Sequence, residues 1–173
     1  HTRFRNVTGV QTCALPIYLI GVPWRVAFAL QADGWYLRSN IIWHKINAMP
    51  EPVLDRPGRD HEDMFLLTKS ERYYFDRKAI EVPTADGKRM KPRRTVWPIA
   101  TKAFKGAHFA VFPPALVEPC ILAGSEPGDI VLDPFGGSGT TAMVAEDNGR
   151  RAVCIELNPD YAKIAMGRLG RVD

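Results

Sequence analysis

Cysteine is scarce in this chain, with three in 173 residues at Cys13, Cys120 and Cys154. Three thiols, one of them close to the amino terminus, give no disulfide framework, and no two are spaced as a paired-cysteine metal knuckle. His44, His61 and His108 stand at no ligand spacing from them or from one another, so no metal centre is expected. Apolar neighbours around Cys120 and Cys154 predict buried, reduced thiols, which suits a cytoplasmic protein. Long apolar runs are also missing: Pro23, Trp24 and Arg25 interrupt the one candidate before it reaches the roughly 18 residues of a membrane span, so no membrane partner is expected. Internal repeats are absent too. The hydrophobic content of 46% is nevertheless enough for the core of one globular domain.

The most informative stretch lies near the carboxyl end. Ile130 to Leu132 is a short apolar run that closes on Asp133, and Phe135 to Gly139 then supplies three glycines where a strand must turn into a helix. Gly136, Gly137 and Gly139 permit a sharp elbow and a close ligand approach. Thr140 to Asn148 reads as a helix with Ala142, Val144 and Ala145 inward and Gly149 as its stop, and Ala152 to Leu157 reads as a second strand. Glu156 falls at the end of that strand, roughly 20 residues past the glycines, where an acidic side chain holds ribose hydroxyls. The unit fits a ligand that carries adenosine.

Two ligand classes remain at this point. Gly137-Ser-Gly139-Thr-Thr-Ala142 satisfies the short dinucleotide fingerprint, which keeps an NAD(P)-binding oxidoreductase fragment open. No Gly-Lys-Ser/Thr follows, which excludes a P-loop. Only Asn158 to Asp173 follow the unit, too short a stretch for the second half that binds nicotinamide. Asp133 before the turn would repel a pyrophosphate and suits a ligand bearing an ammonium and a sulfonium, as S-adenosylmethionine does.

Asp133-Pro-Phe-Gly-Gly-Ser-Gly-Thr140 resembles the cofactor motif of the amino-group DNA methyltransferases, which methylate adenine N6 or cytosine N4. The order of segments is similar to the circularly arranged branch of that family, in which the cofactor half comes last. His108-Phe-Ala-Val-Phe-Pro-Pro-Ala-Leu-Val-Glu-Pro-Cys-Ile121 resembles the segment that packs against the methionine end of the cofactor. Gly34 to Lys45, His61 to Lys69 and Tyr73 to Asp76 resemble the family's target-side strands. The resemblance implies an α/β fold with a Rossmann-like methyltransferase sheet, S-adenosylmethionine as cofactor and double-stranded DNA as partner. It admits a restriction endonuclease as a further partner and leaves the oligomeric state, the target base and the recognition sequence open. In the implied site, Asp133 holds the amino group and Glu156 the ribose. Phe135, Gly136, Gly137, Ser138, Gly139 and Thr140 form the cofactor turn, and Phe109, Phe112 and Pro113 wall the methionine end. Phe135 as an ordinary core aromatic is the competing reading, and Ser138 and Thr140 are also candidate helix caps.

One family feature is missing. The Pro-Pro-aromatic loop that receives the target amino group and stacks on a flipped base has no counterpart, because the single Pro113-Pro114 is followed by Ala115. Asn158-Pro-Asp-Tyr161 imitates it, but Asn at the cap, Pro at the first helical position and Asp in the first turn make an ordinary helix start. No catalytic residue is therefore assigned, and the sheet is expected to lack its catalytic strand and loop at the amino terminus. Residues 1–17 resemble a translated sequencing adapter and are set aside as a non-native leader.

Residues 18–76 are then the target-side part of the sheet, 77–107 a basic segment and 108–173 the cofactor part. A helix is expected from Val22 to Gln31, strands from Tyr36 to Trp43 and Met64 to Leu67, and pairing of the latter with Tyr73 to Phe75. His61 and Glu62 are given a structural role rather than an acid–base one. The chain carries a net charge of +4, yet Arg77 to Lys105 concentrates nine basic residues against Glu81 and Asp86. Lys88, Arg89, Lys91, Arg93 and Arg94 are the candidate phosphate contacts, because the resembling family has its target-recognition segment here; a merely solvated basic loop is the competing reading. A non-catalytic DNA-binding module is the remaining alternative.

Overall fold

The computed structural model describes residues 19–102 and 111–171. The expected leader, His108 and Phe109 lie outside the described residues. In chain order the elements are α1 (Val22–Ala32), β1 (Tyr36–His44), β2 (His61–Thr68), a 3-10 turn (Lys78–Ile80), β3 (Val82–Pro83), β4 (Met90–Lys91) and β5 (Val96–Pro98). They continue with α2 (Pro114–Gly124), β6 (Ile130–Asp133), α3 (Thr140–Asp147), β7 (Arg151–Cys154) and α4 (Pro159–Arg168). The arrangement is α/β, and none of the described helices is long and apolar enough to cross a membrane.

Among the described residues three small sheets form, ordered β2-β1-β5, β3-β4 and β6-β7. β1 and β2 run antiparallel with Tyr36 opposite Thr68 and His44 opposite His61. The expected partner of β2, Tyr73 to Phe75, is not a strand. β2 pairs with β1 along one edge only, and the side chains of Tyr73 and Phe75 are engaged in other contacts. Tyr73 instead meets Arg38 through its hydroxyl at 3.4 Å and Phe75 edge to face. At the head of β2, the His61 Nδ1 is hydrogen-bonded to the Asp60 carboxylate at 3.1 Å, and Glu62 forms an ion pair with Lys45.

α2 joins the larger sheet to the carboxyl-terminal unit. Leu116 packs with Trp43 and Trp97, while Ile121, less than two turns later, packs with Val144 and Ala145 of α3. The Trp43 indole N–H donates to the carbonyl of Ile99 at 2.8 Å, so the ring is buried without an orphaned donor. Trp43→Ala should destabilise the chain by about 3–5 kcal/mol, read from the urea midpoint at unchanged m-value.

Neither described thiol is in the core, contrary to expectation. The inward face of α2 is taken by Leu116, Pro119, Ile121 and Ala123, which leaves Cys120 facing a cavity, and Cys154 ends β7 with part of its surface exposed. The surrounding protein still desolvates a thiolate at Cys120 and pushes its pKa up to about 11. At pH 8 its smaller thiolate fraction, offset by greater nucleophilicity, should slow iodoacetamide labelling roughly tenfold relative to an unperturbed thiol. Peptide mass spectrometry over time reads this directly.

Candidate cofactor site

The carboxyl-terminal unit is a parallel strand pair crossed by a helix: β6 and β7 register Ile130 with Arg151 and Asp133 with Cys154, and α3 connects them. Asp133 sits at the strand end with both carboxylate oxygens engaged. One accepts from the Phe135 N–H at 2.9 Å and the other from the Thr141 hydroxyl at 2.6 Å, tying the strand to the first turn of α3 across the elbow.

The glycines allow the turn to close on its neighbours. A Cβ at Gly136 would fall 2.8 Å from the Cβ of Cys154, and the Gly136 N–H donates to the Ile155 carbonyl at 2.8 Å. Gly139 has φ +77°, and a Cβ there would fall 2.8 Å from that of Ala165 on α4. Both contacts need the bare backbone.

Glu156 reaches back to the same turn. Its two oxygens accept from the N–H groups of Gly137 and Asn158, each at 2.7 Å. A carboxylate offers about four lone-pair sites, so acceptor capacity remains for hydroxyl groups. Asn158 caps α4 as expected, its side-chain oxygen accepting from the Asp160 N–H at 2.9 Å.

Between these groups lies an open cavity of about 330 Å³. Seven of the expected residues line it: Phe112, Phe135, Gly136, Gly137, Ser138, Thr140 and Glu156. Phe135 is 87% exposed, which rules out the core reading and leaves a large apolar ring at the mouth of a hollow. Asp133, Gly139 and Pro113 do not line it. Asp133 and Gly139 shape the turn from behind, and Pro113 is the buried N-cap residue of α2. Ser138 and Thr140 do not cap α3, because Gly139 is its N-cap and no side chain bonds there.

Sequence reasoning missed Val111, Tyr161 and Ile164 in the lining and Arg168 beside it. Tyr161, Ile164, Ala165 and Arg168 fall at i, i+3, i+4 and i+7, the stripe of one helix face, so the signal was present in the segment read only as a helix start.

A profile of the DNA methylase family matches residues 3–167. The chain belongs to that family. It is 58% identical over 154 residues to the Type II methyltransferase M.XycI of Xanthomonas campestris pv. cyanopsidis and 59% identical to M.Cfr9I of Citrobacter freundii, covering 89% of this chain and 51% of each relative. The chain thus spans about half the length of the curated relatives it matches. Among solved structures it is similar to the PvuII cytosine-N4-specific DNA methyltransferase, with TM-score 0.73 and 25% identity over 90% of this chain and 61% of that one. It is likewise similar to the M1.HpyAVI–SAM complex, with TM-score 0.71 and 27% identity over 88% of this chain and 71% of that one. These neighbours bear out the α/β methyltransferase fold.

In this chain the basic segment folds back on itself as the β3–β4 hairpin, with β5 following. Lys88 and Arg89 stand in its turn, Lys91 on β4 and Arg94 after it, all exposed. Arg93 is different: its Nε donates to the Ile80 carbonyl at 3.2 Å and its guanidinium lies 5.1 Å from the Trp97 ring centre. Its local contacts hold the segment to the core.

Proposed function

We propose that this chain is the carboxyl-terminal, cofactor-binding part of a site-specific DNA methyltransferase, in the circular order that places the cofactor half last. The complete enzyme moves a methyl group from S-adenosylmethionine to the exocyclic amino group of adenine N6 or cytosine N4. The observation that carries this reading is the cavity at the carboxyl ends of β6 and β7, where Glu156 is tied to the glycine elbow and Phe135 stands open.

The residues present fit the cofactor. The residual acceptors of Glu156 suit ribose hydroxyls, and Asp133 places a negative charge behind the turn, which favours an ammonium and a sulfonium over a pyrophosphate. Phe112 is assigned to the methionine end together with Phe109, whereas Pro113, buried at the start of α2 and outside the lining, is not. The bound cofactor supplies an electrophilic methyl group. This chain's contribution is to bind and orient it and to exclude water, from which much of the acceleration of a transfer reaction derives.

The loop that receives the target base belongs, in this reading, to the half not represented here. One edge of β6 has no strand partner among the described residues, and Ile130 and Leu132 are 57% and 61% exposed, as expected of a strand with neighbours still to come. The chain alone is therefore expected to bind S-adenosylmethionine weakly and to methylate nothing. A side-by-side thermal-shift assay tests the cofactor: S-adenosylmethionine should raise Tm, while NAD at equal concentration should not. Submicromolar binding together with methylation of DNA by this chain would contradict the reading.

Lys88, Arg89, Lys91 and Arg94 are proposed to meet DNA phosphates. Changing each to Gln should reduce the slope of log K against log salt by about one unit per lost contact, without altering sequence preference. Fluorescence anisotropy of a labelled duplex across salt concentrations reads the slope. Arg93→Gln should instead lower Tm.

A further inference from the structure

The geometry points to Arg168 as a positioning residue that fixes the glycine elbow and turns the Ser138 and Thr140 hydroxyls toward the cavity as hydrogen-bond donors. The inference rests on the cofactor reading of that cavity. Arg168 closes the last turn of α4, and the two N–H groups of its Nη1 are shared among three acceptors, the Ser138 carbonyl at 2.7 Å, the Ser138 hydroxyl at 2.9 Å and the Thr140 hydroxyl at 3.1 Å. Its Nη2 lies 3.7 Å from the sulfur of Met143.

The chemistry of these contacts is directional. Guanidinium only donates, so each hydroxyl meets it as an acceptor and keeps its own proton for another partner. Ser138 and Thr140 both line the cavity, which is where an acceptor atom of the cofactor would collect those protons. Helix dipoles alone do not account for the placement. A cation in the last turn of α4 is favoured by that helix's dipole, but the same charge beside the amino end of α3 opposes the dipole of α3, so the contacts to the turn are a separate contribution.

α4 holds the elbow elsewhere as well. Ala165 presses on Gly139, and Asn158 at the start of α4 shares Glu156 with Gly137. Glu156 fixes one flank of the turn through the Gly137 N–H, and Arg168 fixes the other through the Ser138 carbonyl. Loss of either should loosen the same few residues.

The test is residue-resolved hydrogen exchange on the full chain, as wild type, Arg168→Met and Arg168→Lys, each with and without S-adenosylmethionine. Without cofactor, Arg168→Met should speed exchange at the Gly137 and Gly139 amides about tenfold while leaving Val144 and Ala145 of α3 nearly unchanged, and Arg168→Lys should fall between. Unchanged elbow exchange, or an equal rise at all four amides, overturns the positioning role. The hydroxyl part is read from affinity: Arg168→Met should weaken S-adenosylmethionine binding about tenfold in the wild type but add little once Ser138→Ala and Thr140→Val are present. Fully additive losses would refute it. If S-adenosylmethionine protects no amide of the wild type, the cofactor reading fails, while the exchange result without cofactor still decides whether Arg168 positions the turn.

Discussion

Replacing Gly139 by alanine is expected to destabilise the chain by about 2–5 kcal/mol, through a left-handed conformation costing roughly 1–2 kcal/mol and overpacking costing roughly 1–3 kcal/mol. The backbone there has φ +77°, and the new methyl would lie 2.8 Å from the Cβ and 3.2 Å from the Cα of Ala165. Against the roughly 5–15 kcal/mol that hold a typical domain together, this is a large share. Gly136→Ala is the natural comparison. Its Cβ would also fall at 2.8 Å, from the Cβ of Cys154, but its φ lies outside the left-handed region, so only the overpacking of about 1–3 kcal/mol applies. Urea denaturation of both variants separates strain from crowding, and adding Ala165→Gly to Gly139→Ala should relieve the contact with the Ala165 Cβ but not that with its Cα, less the roughly 1 kcal/mol that a glycine costs inside a helix. A Gly139→Ala variant less harmed than Gly136→Ala would show that the elbow geometry is misread.

Glu156→Ala should act on both stability and binding. In the native chain the carboxylate receives the N–H groups of Gly137 and Asn158 at 2.7 Å each. Asn158 is exposed and water can replace the acceptor, but Gly137 is partly enclosed, so its unpaired N–H should cost about 1–3 kcal/mol. Loss of a charge-assisted bond to the ribose should weaken S-adenosylmethionine roughly tenfold to a hundredfold. Glu156→Gln should lie between, since its amide oxygen satisfies one N–H while its NH2 group faces the other. Calorimetric titration gives the affinities, and urea midpoints give the stabilities.

The cofactor turn was legible in the sequence because its determinants are local. Three glycines within five residues, an acidic residue at or near each strand end and an Asn-Pro-Asp helix start each act within a few positions; Asp133 ends β6 and Asn158 caps α4 as expected, while β7 stops at Cys154, so that Glu156 stands two residues beyond it rather than in the strand expected from Ala152 to Leu157. The misreadings are all tertiary. Tyr73 to Phe75 looked like a strand, yet β2 pairs with the longer β1. Cys120 has apolar neighbours in sequence but falls between the buried positions of α2 and faces a cavity. Ser138 and Thr140 are good capping residues that Arg168, 30 and 28 positions away, recruits instead. Arg93 looked like one cation among five until Ile80 and Trp97 turned it inward.

Titration of S-adenosylmethionine into the isotopically labelled chain, followed by amide chemical shifts, tests the central claim most directly. The account predicts saturable shifts confined to Phe135–Thr140, Glu156 and the facing residues of α4, and their disappearance in Glu156→Ala. Shifts centred elsewhere, or an unchanged response in that variant, would contradict it.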